Sequence, residues 1–115
     1  MAESFIDDEL AAQLERNEKL VETMLEHGAD LDEERPIDFF FFAAEAGDAK
    51  KLADDLAAQG FDVTFVADDD LDGKWPVQVA RAASVREVIA EPFVATLVRT
   101  AARYLAEFDG WGTAV

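Results

Sequence analysis

Apolar positions along the chain change period as it proceeds, and each change marks an element. Between residues 5 and 27, Ile6, Leu10, Leu14, Val21, Met24 and Leu25 recur at helical spacing, with Asn17 standing where the seam calls for an apolar side chain. Ser4, followed three residues on by Asp7, is the predicted N-cap, and Gly28 is the stop. The other faces of this helix are mostly glutamate, so it can pack on a sheet through one narrow stripe or act as an arm that docks on another chain. A polar linker from Ala29 to Arg35 leads to Pro36, and the residue before a proline avoids the helical region. Residues 37–43, Ile-Asp-Phe-Phe-Phe-Phe-Ala, then form a short continuous apolar run. Such a run predicts a strand covered on both faces and central in its sheet.

Helical spacing returns over residues 49–59, where Leu52, Ala53, Leu56 and Ala57 share a face, Asp48 is the predicted cap and Gly60 the stop. Phe61, Val63 and Phe65 alternate as a second strand. Beyond the turn dipeptide Asp72-Gly73, Trp75, Val77 and Val79 alternate as a third, and the two strands are expected to form a hairpin. Pro76 argues that the third strand lies at an edge or carries a bulge, since proline cannot donate to a ladder. Ser84 and Glu87 have capping-box spacing, and Pro92 opens a main helix expected to run to about residue 107, with Phe93, Leu97, Ala101, Leu105 and Phe108 on its apolar stripe. Asp109 to Thr113 adds a short final strand. One helix followed by β-α-β-β-α-β is the order of an α+β, ferredoxin-like two-layer sandwich with an extra N-terminal helix. One domain over residues 1–115 is expected, an acidic helix at 1–28 joined to a ferredoxin-like core at 36–115.

Charge adds a second pattern. The chain carries 26 acidic against 10 basic residues, a formal charge of -16, yet 50% of it is hydrophobic, too much for a disordered polymer. The acidity is segmental: residues 1–72 hold 22 acids and 5 bases, whereas residues 73–115 hold 4 acids and 5 bases. Salt adaptation would spread acids over every exposed face, including the last helix, and does not fit. Direct nucleic-acid binding is not expected, because phosphate affinity comes from Lys and Arg, and a basic protein partner suits the charge better. The absence of cysteine excludes a disulfide, a thiolate metal site and a cysteine nucleophile. The first residues lack a basic region followed by an apolar run, and no stretch is apolar enough to span a bilayer, so a cytoplasmic location without a membrane partner is expected.

Little is arranged for catalysis. His27, the single histidine, sits at a helix end, and no serine or threonine makes a triad-like base arrangement with it plausible from sequence. No carboxylate pair is set apart in an apolar pocket that would split its pKa values, and no glycine-rich turn leads into a helix to cradle phosphate. A non-enzyme with no cofactor is expected. Asp68, Asp70, Asp72 and Gly73 match positions one, three, five and six of a calcium loop, but Val79 occupies position twelve, where Glu should chelate, and the flanks read as strands. A solvated acidic hairpin turn accounts for the same residues. The phenylalanine run would stack RNA bases only beside a basic groove and is read as core. Trp75 and Trp111 remain, and a Trp set between Gly110 and Gly112 implies a tight backbone path that presents or buries one large ring.

At these residues the chain resembles the family of regulators of ribonuclease E activity of the B type (RraB). The resemblance lies in Ile37 to Ala43, in the helix ending Gln59-Gly60-Phe61-Asp62-Val63 and in the Trp75 strand. Its most specific part is Tyr104-Leu105-Ala106 running into Asp109-Gly110-Trp111-Gly112-Thr113. It implies a ferredoxin-like fold with an added helix, no catalytic residues, and a cytoplasmic protein that binds ribonuclease E and lowers its activity on some RNAs. In the best-known members the contact is with the enzyme's non-catalytic scaffold, which contains basic stretches. An acidic surface suits such a partner, because complementary fields speed encounter and set orientation. The expected partner-binding residues are Trp75, Asp109, Gly110, Trp111 and Gly112, with Asp68, Asp69, Asp70 and Asp72. The alternatives are an acidic decoy or immunity-type protein covering another basic nuclease, and a calcium- or ligand-binding module at the Asp-rich turn. Oligomeric state is open, since an edge strand or the first helix could each make a dimer.

Overall fold

Four strands pair into one antiparallel sheet in the computed structural model, which describes residues 2–70 and 72–113, with side chains from Asp8 onward. The elements are α1 (Ala2–Glu26), β1 (Glu34–Ala43), α2 (Ala46–Ala58), β2 (Asp62–Val66), β3 (Trp75–Ser84), α3 (Val85–Val88), α4 (Glu91–Arg103) and β4 (Ala106–Gly112). The strand order β2-β3-β1-β4, with every pair antiparallel, is the ferredoxin-like arrangement expected from the element order. The side chains of Ser4, Ile6 and Asp7 lie outside the described residues, but the backbone of α1 already begins at Ala2, so Ser4 falls inside the helix.

Strand β1 is central, as the phenylalanine run predicts, but it is covered on one face only. Side chains alternate across a strand. Ile37, Phe39, Phe41 and Ala43 therefore point to the helices and are at most 1% exposed, whereas Phe40, on the opposite face, is 36% exposed. On the helix side Phe39 meets Phe61 edge-on at 5.3 Å, and Phe41 meets Phe108 at 5.1 Å. Leu52 and Leu56 of α2 and Val94 and Leu97 of α4 close this core from above.

Several boundaries differ from the sequence pattern, each for a local reason. Strand β1 starts at Glu34, within the expected linker, because β3 is long enough to pair with it out to Ser84. Phe61 precedes β2 and is buried, while a bulge at Thr64 turns Phe65 outward to 52% exposure. Pro76 lies in an inner strand rather than at the edge offered as one alternative, and the bulge of the β2–β3 ladder lies on β2, between Val63 and Phe65. The Pro76 carbonyl accepts from the Ala67 N–H, so the missing donor faces the mouth of the hairpin, where β2 has already ended. Helix α2 starts at Ala46 with Glu45 at the cap, and Asp48 sits in the first turn, favoured there by the helix dipole. Ser84 does cap α3, its Oγ accepting from the Glu87 N–H at 3.1 Å.

The largest difference is at the end of α4, which stops at Arg103 rather than near residue 107. Leu105 adopts a left-handed φ of 53°, and Phe108 belongs to β4, opposite Phe41. Spacing from Phe93 to Phe108 is consistent with a helix and no glycine or proline marks the stop, but the ladder with β1 satisfies the backbone of residues 106–108 and prevails. The junction is held by a small polar group. Tyr104 Oη donates to Asp55 Oδ2 at 2.6 Å and Gln59 Nε2 donates to Asp55 Oδ1 at 2.7 Å, tying α2 to the end of α4. The Tyr104 bond, with that from Gln59, holds the Asp55 carboxyl below its usual range, and the same bond holds the Tyr104 phenol up.

Two predictions follow from this junction. A depressed carboxyl stabilises the fold above its unfolded pKa of about 4 and loses that contribution in acid, whereas a raised phenol stabilises below about 10 and loses it in alkali. Tyr104→Phe is therefore expected to lower the melting temperature at neutral pH, with the gap to the parent closing toward both extremes in a series of thermal melts. Leu105→Gly should stabilise the fold by about 0.5–1 kcal/mol in urea unfolding, the left-handed strain relieved less the extra chain entropy of glycine, because Leu105 is 73% exposed and little packing is lost.

Candidate protein-interaction site

Strand β4 is an edge of the sheet, and an edge exposes unpaired carbonyl groups. Helix α1 covers it with polar side chains. Gln13 Nε2 donates to the Phe108 carbonyl at 2.7 Å, Arg16 Nη1 to the Asp109 carbonyl at 3.2 Å, and the Trp111 indole N–H to Asn17 Oδ1 at 2.8 Å. Gln13 is 1% exposed and Asn17 5%. The residue that interrupts the apolar seam is thus the partner of the motif tryptophan. Because an indole can only donate, the Asn17 amide is oriented with its oxygen inward, and its Nδ2 is left buried without an acceptor among the described residues.

The register places Trp111 opposite Phe39, on the helix side, and Gly110 and Gly112 opposite Phe40 and Asp38, on the other face. Half-buried Trp111 packs against both hydrophobic clusters, the main core and the smaller group of Met24, Leu31 and Val85. It is therefore buried as a tie between α1 and the sheet, with one rim in a cleft of about 160 Å³ that also borders Arg16, Leu20 and Asp109. The junction is electrostatically crowded. Burial pushes the Glu9 carboxyl up, and Glu107 and Asp109 push it further, against the pull of Arg16.

The other expected residues lie elsewhere. Asp68, Asp69, Asp70 and Asp72 are exposed in the hairpin between β2 and β3, with Leu71 outside the described residues. Asp69 Oδ1 accepts the Asp70 N–H and Asp70 Oδ2 the Gly73 N–H, so two of the carboxylates close the turn itself. Among the described residues, no group of three or more His, Asp or Glu is arranged to hold a metal ion. Trp75 begins β3 opposite Ala43 and packs half-buried on the core. The expected residues therefore form two patches on different neighbours of β1, one at the hairpin and one at the α1–β4 junction.

Sequence reasoning missed Gln13 and Glu9, and read Asn17 only as a flaw. The available signal was the pair Gln13 and Asn17, one helical turn apart on the buried line of an acidic helix. It also read Phe40 as core, where the register puts it on the open face.

Together these features define an acidic α+β sandwich of ferredoxin-like topology with an N-terminal helix that packs beside α4 and hydrogen-bonds to one edge strand. The chain belongs to the RraB family, Regulator of ribonuclease activity B, whose family model matches residues 14–113, a span that takes in both Asn17 and Trp111. It is 28% identical over 107 residues to the Regulator of ribonuclease activity B of Shewanella amazonensis, covering 90% of this chain and 76% of that protein. It is 30% identical over 97 residues to the protein of the same name in Aeromonas salmonicida, covering 82% of this chain and 84% of the relative. No helix among the described residues is long and apolar enough to cross a membrane.

The crowded junction has a measurable consequence. A carboxyl raised by folding costs stability wherever it is ionised, and that cost fades as pH falls through the raised folded value and is lost below the unfolded value of about 4.5. Glu9→Gln should therefore raise stability at pH 7 by up to about 0.5 kcal/mol in chemical unfolding, with the gain gone by about pH 4.

Proposed function

We propose that this chain is a non-catalytic cytoplasmic regulator that binds ribonuclease E and lowers its activity, docking through acidic patches on a basic stretch of the enzyme. The match of residues 14–113 to a family named for regulating ribonuclease activity carries the choice of partner. The mode of docking has separate support. Glu9, Glu107 and Asp109 crowd the α1–β4 junction, and the exposed aspartates of the hairpin add a second negative patch. A cationic side chain arriving at either relieves repulsion that the free protein bears. The residues assigned to contact are Asp109, Gly110, Gly112 and the rim of Trp111 at the first patch, and Asp68, Asp69, Asp70, Asp72 and Trp75 at the second.

The test is a pull-down with the tagged chain from its own host at low salt, with the captured proteins identified by mass spectrometry. Ribonuclease E is the expected catch. It should be released by raising the salt to about 0.5 M, because exposed charge pairs are screened beyond about 8 Å already at physiological ionic strength. The purified chain should then slow cleavage of an RNA substrate by the purified enzyme. Capture of a different basic nuclease would replace the partner, and a chain that never retains ribonuclease E at low salt would end the proposal.

A further inference from the structure

The helices pack on one face of the sheet, and the register spells out what the other face presents. Phe65, Gln78, Phe40 and Gly110 form one row across the four strands, and Asp62, Ala80, Asp38 and Gly112 form the next. Pro76, Phe42 and Glu107 lie on the opposite side of the aromatic row. Neighbouring strands are about 4.8 Å apart, so the rings of Phe65 and Phe40 stand roughly 10 Å from each other, with only Gln78 between. Phe40 is 36% and Phe65 52% exposed.

Both glycines of the Gly-Trp-Gly motif belong to this face. Gly110 has a φ of 139°, which an ordinary residue avoids, but Gly112 has no such constraint. A Cβ at Gly112 would lie 3.7 Å from Phe40 Cε2, an ordinary contact. Glycine at 112 is thus not demanded by a left-handed backbone, and its effect is to leave the Cε2 edge of the Phe40 ring uncovered by a side chain. The rings on this face also attract cations: Lys74 Nζ lies 5.7 Å from the centroid of Phe42. Asp38 and Asp62 flank the aromatic row, and neither forms an ion pair among the described residues.

We propose that this open sheet face docks an extended, arginine-containing segment of a partner protein, with guanidinium groups lying on Phe40 and Phe65 and pairing with Asp38 and Asp62. The inference deepens the functional reading above and rests on it for the identity of the partner. Guanidinium is the group that both stacks on an aromatic face and pairs with a carboxylate. RNA would find rings to stack on, but its phosphates would meet Asp38, Asp62 and Glu107. A second copy of the chain would set the same acids against each other.

The test uses the full chain, labelled for amide NMR, and a synthetic peptide alternating Arg and Thr. Shifts should cluster at Phe40, Phe65, Gln78 and Gly110. Gly112→Val, which places a side chain over Phe40 without changing any charge, and Phe65→Ser should each weaken binding about five-fold or more. The two variants back each other up, since an unchanged amide spectrum identifies the one that has kept its fold. Shifts confined to α1 or the hairpin loop, unchanged affinity in a folded variant, or stronger binding of oligouridine at the same face would overturn the proposal. Equal capture of ribonuclease E by the parent and a folded Gly112→Val variant would sink this surface and leave the partner standing. Peptide binding on the face without any capture of ribonuclease E would do the reverse.

Discussion

Alternation along β1 divides this molecule in two. Each successive side chain from Glu34 to Ala43 must turn to the opposite face, so a run of four phenylalanines cannot all be buried by one layer of helices. Phe39 and Phe41 go to α2 and α4 and become the centre of the aromatic core, while Phe40 and Phe42 go to the uncovered side. Because β1 is paired on both edges, its register also settles which side chains of β3 and β4 join each face. A slip of one residue would exchange the core for the open surface, and the packing of Phe39 and Phe41 makes that costly.

The two sheet edges are managed differently. Strand β2 is only five residues long and bulged, which blunts it as a template for further strands. Strand β4 is longer and is bonded to α1 through amide, guanidinium and indole hydrogen bonds, beside an apolar seam of Leu10, Leu14, Val21 and Met24 that packs on the two hydrophobic clusters. This explains how a helix with so much glutamate can still belong to the fold. Its buried line runs through Gln13, Asn17 and Met24, and Leu25, on the expected apolar stripe, is left exposed. The arrangement leaves a cost unrelieved, the buried amide of Asn17 with no acceptor among the described residues.

The acids follow the same division of labour. Those in the hairpin are solvated and partly spent on closing their own turn, while Glu9, Glu107 and Asp109 face each other across a contact that holds α1 in place. The charge that looks uniform as a total thus includes two local clusters, at the hairpin loop and at the α1–β4 junction, with Asp38 and Asp62 on the open face besides. That distribution suits recognition of an extended basic partner better than it suits a phosphate backbone.

Much of the fold was legible in the chain itself. The period changes set the order of elements, the phenylalanine run marked the central strand, Asp72-Gly73 marked the hairpin, and the ending around Trp111 marked the family, because these are local signals of backbone geometry and burial. The end of α4 was not legible, since Phe108 satisfies a helical stripe and a strand equally well and only the pairing of Phe108 with Phe41 decides between them. Nor was the use of Asn17, Gly112 and Phe40, whose meaning depends on residues up to 94 positions away. Sequence alone determined the order and type of the elements and the apolar stripes from which the core is drawn. Tertiary structure decided which face each one serves, because alternation is blind to face until a partner strand and a covering helix break the symmetry between the two sides of the sheet.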